Sequence, residues 1–438
     1  MITRDYSSKA IIAEEYEDLK AISGVSISNL ELEDYPNLLV FPDSFYEYDR
    51  EFGKKAICSI DDNKRLYTNS IVGFVGRNNT HLSIHSRFAN DTDSDFFLHY
   101  MLQKVANVNI LNLQHTLDDD SVFDFLIYLF PLYLKKALRQ GVFKQYTSHK
   151  YNDANVRGTI DINRHIRNNV PFNGKVAYNT REYSYDNDVT QLIRHTIEYI
   201  CRYKCGSDIL ATDQETQAAV SQIISATPSF SQRDISAILN RNIRPVVHPY
   251  YNEYTPLQRL CLQILKHEEL KYGQKEDEMY GVLIDAAWLW EEYVAIILEG
   301  QFVHYLKDRG KRFYLFEPNF QQIIPDYLSL DKSVVADAKY IPLNRESSYG
   351  EEKATSIFYK TITYMYRFCA KKAFLFYPHH PEDYFHIDTL TIKTETAGIN
   401  GGSIIKQGLK IPSQCGNYIE FVKQMRISED EMLQQLNL

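Results

Sequence analysis

The chain is short of cysteine. Six cysteines in 438 residues lie too far apart for a disulfide framework. Cys201 and Cys205 are close, at C-x3-C, but no second pair completes a zinc site. Reduced thiols are expected. Long apolar runs are missing too. Nothing approaches the ~20 residues that a membrane-spanning helix needs, and Met1 to Lys20 contain no apolar leader core. The expectation is a cytoplasmic chain without membrane contact. G-x-x-x-x-G-K-[ST] is absent, so no Walker A phosphate cradle is expected and this chain alone binds no nucleotide. Positive charge is also scarce, with 48 Lys and Arg against 57 Asp and Glu and a net charge of −9. Such a chain does not coat nucleic acid non-specifically.

What remains is ordinary for a folded protein: 44% hydrophobic, 24% charged and rich in tyrosine, with 33. The length predicts two or three domains. Charge is uneven. Residues 301–380 carry twelve Lys and Arg against eight Asp and Glu, a local +4 within an acidic chain. An acidic protein with a basic working face implies that nucleic acid is delivered or gripped partly by something else.

Residues 1–115 read as a β-rich module. A short helix is expected over 8–22. Strands are expected at Val25–Leu30, Leu38–Phe41, Lys55–Ser59, Ser70–Val75 and His81–His85, before a helix at Phe96–Val105. No catalytic constellation appears there. His81 and His85 are four apart on a strand, which is not a helical metal pair. A docking or recognition role fits, toward DNA or toward a partner.

Residues 116–278 read as mainly helical. Asp118, Asp119 and Asp120 precede the apolar helix Phe123–Leu138 and suit its positive end better than a metal. A basic, loop-rich segment follows, with Val156-Arg157-Gly158-Thr159-Ile160-Asp161-Ile162, Arg164, Arg167, Lys175 and Arg181. These cations form either a phosphate-contacting or docking patch, or ordinary solvated charge. Val176–Asn179 and Arg181–Tyr185 read as two strands. Asp186–Asp188 then caps a long helix, Val189–Tyr203. Lys271–Asp277 marks the entry to a third domain, 279–438.

The third domain carries the sharpest pattern. Gln322–Leu328 and Ser333–Tyr340 are apolar and β-branched enough for two strands, with a turn at Ser329–Lys332. Residues two apart share a strand face, so Asp337 and Lys339 project together. Pairing brings Asp326 beside Asp337. Two carboxylates and an ammonium at one sheet end suit metal-assisted phosphodiester hydrolysis, because Mg²⁺ takes carboxylate, water and phosphate oxygens. Upstream, Ile284–Leu298 reads as a helix whose apolar stripe is Ile284, Ala287, Trp288, Glu291, Ala295 and Leu298. Glu291 on that stripe is costly unless paired or metal-bound. Glu292 lies off the stripe. Downstream, Ala354–Cys369 reads as a helix on which Lys353, Lys360 and Arg367 align, seven apart. They are phosphate-contact candidates; the alternative is a solvated face. Counting strands at Arg312–Phe316 and Ala373–Tyr377, the order is αβββαβ.

Pro325-Asp326, a gap and Asp337-x-Lys339 in that order resemble the PD-(D/E)xK nuclease core. That resemblance implies Asp326, Asp337 and Glu291 as metal ligands and Lys339 as the catalytic lysine. V-R-G-T-I-D-I, R-E-Y-S-Y-D-N-D with its long helix, W-L-W-E-E-Y-V and P-D…D-A-K together resemble McrC-type restriction subunits, LlaJI-type enzymes included. The resemblance spans roughly residues 70–400. It implies an α+β multidomain chain with a β-rich N-terminal module, a mainly helical middle region and a C-terminal α/β PD-(D/E)xK nuclease core. It implies a DNA endonuclease subunit of a McrBC-like system, modification-dependent or LlaJI-type. The cofactor would be Mg²⁺, with Mn²⁺ as a substitute. The partners would be DNA and a McrB-like AAA+ GTPase ring, which the chain stimulates. One departure is Lys360, near where family members often have Gln. The competing readings are a non-catalytic adaptor of an NTPase ring and a stand-alone restriction nuclease.

Overall fold

The computed structural model describes residues 1–23, 38–41, 56–89, 95–106, 120–203, 206–211, 213–266, 279–305, 313–341, 343, 350–382, 388–393 and 401–436. The chain is a mixed α/β protein of two compact units. Unit 1 joins Met1–Phe125 to Glu268–Leu438, and unit 2 is Leu126–His267. Among the described residues no helix is long and apolar enough to cross a membrane.

Unit 1 opens with β1 (Ile2–Arg4), β2 (Ser8–Ala10), α1 (Tyr16–Ser23), β3 (Leu38–Phe41), β4 (Cys58–Ile60), β5 (Arg65–Thr68), β6 (Ile71–Arg77), β7 (Thr80–His85) and α2 (Phe96–Ala106). The single helix expected over 8–22 is therefore a strand followed by a shorter helix. Val25–Leu30 lies outside the described residues. The strands expected at 70–75 and 81–85 are β6 and β7, which pair antiparallel as a hairpin. In β7, Thr80, Leu82 and Ile84 are buried while His81, Ser83 and His85 are half-buried, the alternation of a one-sided strand.

Helix α3 (Asp120–Leu138), which belongs to unit 2 from Leu126 on, opens at the last of the three aspartates; Asp118 and Asp119 lie outside the described residues. Unit 2 contains β8 (Gln145–Asp153), β9 (Thr159–Ile160), α4 (Ile162–Asn169), β10 (Val176–Ser184), α5 (Asp188–Arg202), α6 (Gly206–Leu210), α7 (Gln214–Ala226), α8 (Ile235–Arg241) and α9 (Tyr254–Leu265). The two strands expected at 176–185 are one, β10, paired along its length with β8. The cap of α5 is Asn187 alone, in a capping box with Thr190. Its side-chain oxygen accepts the first free N–H groups of the helix.

The chain returns to unit 1 through β11 (Met279–Asp285). This strand pairs antiparallel with β6 and parallel with β3, giving the sheet order β1-β7-β6-β11-β3. A segment expected at the start of the third domain thus completes a sheet of the first. Two glycines make the fit. Gly73 and Gly281 both have positive φ. A Cβ on Gly73 would lie 2.1 Å from the Val282 oxygen, and one on Gly281 2.2 Å from the Phe74 oxygen. Leu66, Ile71, Val75, Leu82 and Leu283 form the core beneath.

Asp285 ends β11 and caps α10 (Ala286–Ile297) by accepting from the Ala287 N–H at 2.9 Å. Ile284 is strand, not helix. The buried face of α10 is Ala286, Leu289, Trp290, Tyr293 and Val294, not the stripe through Trp288 and Glu291. The helix is apolar almost all round, so its packing, not its composition, chooses the face.

β12 (Phe302–His304), β13 (Phe313–Phe316), β14 (Phe320–Ile323), β15 (Tyr327–Ser329), β16 (Val334–Ala338), α11 (Gly350–Phe368), β17 (Lys372–His379), β18 (Asp388–Thr391), β19 (Ser403–Lys410) and α12 (Tyr418–Gln435) complete unit 1. Six of these strands form one sheet, β12-β15-β16-β17-β19-β18. β16 runs parallel to β17, and β17 to β19. Such an arrangement needs a crossover, which α11 supplies between β16 and β17. The strand expected at 312–316 is not in this sheet. β13 pairs with β14 in a separate hairpin, and β12 takes the place beside β15. The single strand expected at Gln322–Leu328 is split between β14 and β15, because Pro325 cannot donate to a ladder.

Candidate active site

The split leaves Pro325 and Asp326 in a bend at the head of β15. The register Tyr327↔Ala336 and Leu328↔Val335 continues to place Asp326 beside Asp337. Oδ2 of Asp326 accepts the Ala338 N–H at 2.9 Å. Lys339, one residue past β16, is held by its own N–H, which donates to the Phe376 oxygen at 2.7 Å. Its ammonium pairs with Asp337 Oδ2 and lies 3.9 Å from Asp326 Oδ2. The structure therefore brings together Asp326, Asp337 and Lys339.

Lys360 joins them from α11, with Nζ 3.9 Å from Asp337 Oδ1. Tyr364, one turn on, donates its hydroxyl to the Ile324 oxygen at 2.7 Å, which fixes the helix against the bend. Arg367 is directed elsewhere. Its Nε donates to the Tyr314 oxygen at 2.7 Å. The Lys353 side chain lies outside the described residues. Lys360 and Arg367 thus face different groups.

Glu291 stands on α10 and is half-buried. Its Oε1 is 2.9 Å from His304 Nε2 on β12, and its backbone oxygen accepts the Tyr327 hydroxyl at 2.5 Å. His304 was not legible as a partner, since a lone histidine on a short strand carries no spacing signal. The link from Glu291 to the aspartates is electrostatic. Burial, then Glu292 and Asp337, push its pKa up to about 8.

The two aspartates differ. Asp326 is raised well above the usual carboxylate range by burial, by Asp337 and by Glu291. Burial pushes Asp337 up as well, but Lys339 and Lys360 outweigh it and hold this carboxyl below its usual range. Like charges this close separate into one acid and one carboxylate. Both carboxylate oxygens of Asp337 are buried, with the ammonium groups of Lys339 and Lys360 as their charged neighbours. Buried acceptors left to charge compensation, beside a second carboxyl, form a donor set that fits a hard divalent cation. Among the described residues no three His, Cys, Asp or Glu side chains are gathered into a ready metal cage. Two carboxylates with water and phosphate complete the shell usual for Mg²⁺.

In unit 2 the expected cations divide. Arg164 donates to the oxygens of Tyr151 and Tyr178, at 3.1 and 2.6 Å, and serves the sheet. Arg157 and Arg181 line one open pocket with Tyr146 and Glu182. Arg167 closes α4, and Lys175 is exposed before β10. Gly158 of the V-R-G-T stretch is explained by contact, since a Cβ there would lie 2.0 Å from the Asn179 oxygen.

Residues 66–378 match the family model described as McrBC 5-methylcytosine restriction system component. The chain belongs to this McrBC family. The expectation of an McrC-type chain is met at that level. No curated protein matches the chain. Its fold is similar to a chain in the refined half-complex from the tetradecameric assembly of Thermococcus gammatolerans McrB AAA+ hexamers with bound McrC. That likeness has 15% identity and a TM-score of 0.50, covering 100% of this chain and 99% of that one. A cryo-EM structure of the Thermococcus gammatolerans McrBC complex matches at 14% identity and a TM-score of 0.33, over 72% of this chain and 89% of that one. At such identities the likeness concerns the fold alone.

Proposed function

We propose that this McrBC-family chain is the DNA endonuclease subunit of its restriction system, working with and stimulating an AAA+ GTPase partner. The observation that carries the reading is the convergence of Asp326, Asp337 and Lys339 at one end of a mixed sheet. Asp326 and Asp337, with Glu291 behind them, would hold Mg²⁺, or Mn²⁺ in its place. A bound divalent ion supplies Lewis-acid stabilisation of phosphorane charge and a water acidic enough to attack at neutral pH.

The chain's own residues do the rest. Asp337 stays ionised because Lys339 and Lys360 offset its burial. Asp326 and Glu291 hold protons until a cation displaces them. Lys339 orients a water or a phosphate oxygen at its ammonium. Lys360, on the open side of Asp337, meets the substrate phosphate. Arg157, Arg167, Lys175 and Arg181 supply docking or DNA contacts on unit 2.

An Asp326→Ala, Asp337→Ala, Lys339→Ala triple variant tests the reading against an adaptor role. The expected result is full stimulation of the partner's nucleotide hydrolysis with no plasmid cleavage. Restored cleavage by the triple variant would overturn it.

A further inference from the structure

The proposed site does not end at Lys360. A groove of ≈ 820 Å³ runs from it between the β13–β14 hairpin and the outer face of α11. Gln321 and Gln322 form one wall, and Ser356, Tyr359 and Thr363 the other. Lys360 lines it too, and its Nζ is also 3.9 Å from Asp337 Oδ1. Whatever fills the groove is therefore continuous with whatever sits on the carboxylates.

The groove's chemistry narrows the occupant. Among its described lining residues Lys360 is the single charged side chain; the others are neutral hydrogen-bonding or apolar groups. A channel that tracks a phosphate backbone is lined with Lys and Arg. This one offers amides, hydroxyls and ring faces instead. Tyr359 is 68% exposed and Tyr366, seven residues on along the same helix face, 84%. The same hairpin exposes Phe316 and Phe320, whose rings lie 6.1 Å apart, outside the groove lining. Of these exposed rings Tyr359 lines the groove itself, a large aromatic face left in water at its wall.

We propose that this groove takes unpaired nucleotides next to the phosphate that is cut, with a base stacked on Tyr359 and base edges hydrogen-bonded by Gln321 and Gln322. The inference rests on the nuclease reading and names the form of its substrate. An exposed ring face can stack on a base only where the duplex is open, because pairing and stacking hide the base faces, and amides can then reach the Watson–Crick edges as well. Lys360 then marks where base contacts give way to the phosphate.

The test is binding of labelled oligonucleotides to the full chain in EDTA, so that cleavage plays no part. A duplex, the same duplex with a central mismatch bubble, and a short oligothymidine are titrated over a range of salt. The expected result is tighter binding of the bubble and the single strand than of the duplex. Tyr359→Ala should weaken bubble binding about tenfold, as for one lost stacking contact. It should leave the slope of log affinity against log salt unchanged, since no phosphate contact is lost. Tyr359→Phe should bind like wild type. Equal affinity for duplex and bubble, or no effect of Tyr359→Ala, would overturn the proposal. So would loss of AAA+ partner binding in Tyr359→Ala with DNA binding intact, which would assign the groove to a protein. Cleavage assayed separately with Mg²⁺ and the partner reports on the nuclease reading itself.

Discussion

Nη2 of Arg87 donates to the Tyr340 carbonyl at 2.9 Å, one residue beyond Lys339. The same guanidinium pairs with buried Asp5 at 3.1 Å and lies over the Tyr340 ring, 4.5 Å from its centroid. The loop after β7 thus clamps the end of the strand that carries the proposed catalytic lysine. The N-terminal β-module, whatever it binds outside, supports the site from within unit 1.

Arg87→Lys keeps the charge against Asp5 but loses the fork that spans two partners. Misplacing Lys339 by a fraction of an ångström should lower kcat by about tenfold to a hundredfold, with KM nearly unchanged. Melting of the same preparation checks that the variant is folded. A folded variant with wild-type kcat would remove Arg87 from the site's support.

Proton linkage gives the second expectation. In the metal-free chain Glu291 has a pKa raised from 4.5 to about 8. A raised carboxyl stabilises the fold fully below its unfolded value and loses that contribution as pH rises through its folded value. In EDTA, the contribution of Glu291 should therefore fade from about pH 4.5 to about pH 8. Glu291→Gln should flatten that part of the profile. Mg²⁺ should raise the melting temperature more at about pH 8 than at about pH 6, because binding displaces protons. Urea melts across pH, with and without Mg²⁺, measure both. A flat wild-type profile would contradict a Glu291 that stays protonated at neutral pH.

The close approach of β6 and β11 gives a third. Gly281→Ala should destabilise unit 1 by about 1–3 kcal/mol or more, through a positive φ and a clash with the Phe74 oxygen. The urea midpoint should fall with the m-value unchanged. An unchanged midpoint would mean that residues 71–77 and 279–285 are not held together as described.

The two lysines should separate. Lys339→Ala removes the ammonium beside both aspartates and should lower cleavage by roughly 10²–10³, as for loss of one preorganised charge. Lys360→Gln keeps a hydrogen-bonding group on α11 and should lower it by about tenfold or less. Single-turnover cleavage rates measure the difference, and equal losses would contradict the roles assigned.

Much of the site was legible because it depends on short-range periodicity. The two-residue period puts Asp337 and Lys339 on one side, and a four-residue turn puts Asp326 opposite. Lys360 could be flagged because helical spacing is local as well. Long-range pairing was not legible. Nothing in Met279–Asp285 says that it pairs with a hairpin some 200 residues earlier. The buried face of α10 was misread because an almost wholly apolar helix carries little phase information. β13 was placed in the main sheet because a strand pattern does not specify its neighbour. Arg87 carries no signal in the sequence, since its partners Asp5 and Tyr340 meet only in the folded chain.

The most direct measurement is single-turnover plasmid cleavage in Mg²⁺ with the AAA+ partner and nucleotide, comparing wild type with Asp337→Asn. Asparagine keeps the shape and removes the charge that Lys339 and Lys360 hold in place. Methylated and unmethylated plasmids are run side by side. The account predicts cleavage by wild type and none by Asp337→Asn, with partner stimulation equal in both. Cleavage by Asp337→Asn at the wild-type rate would contradict it.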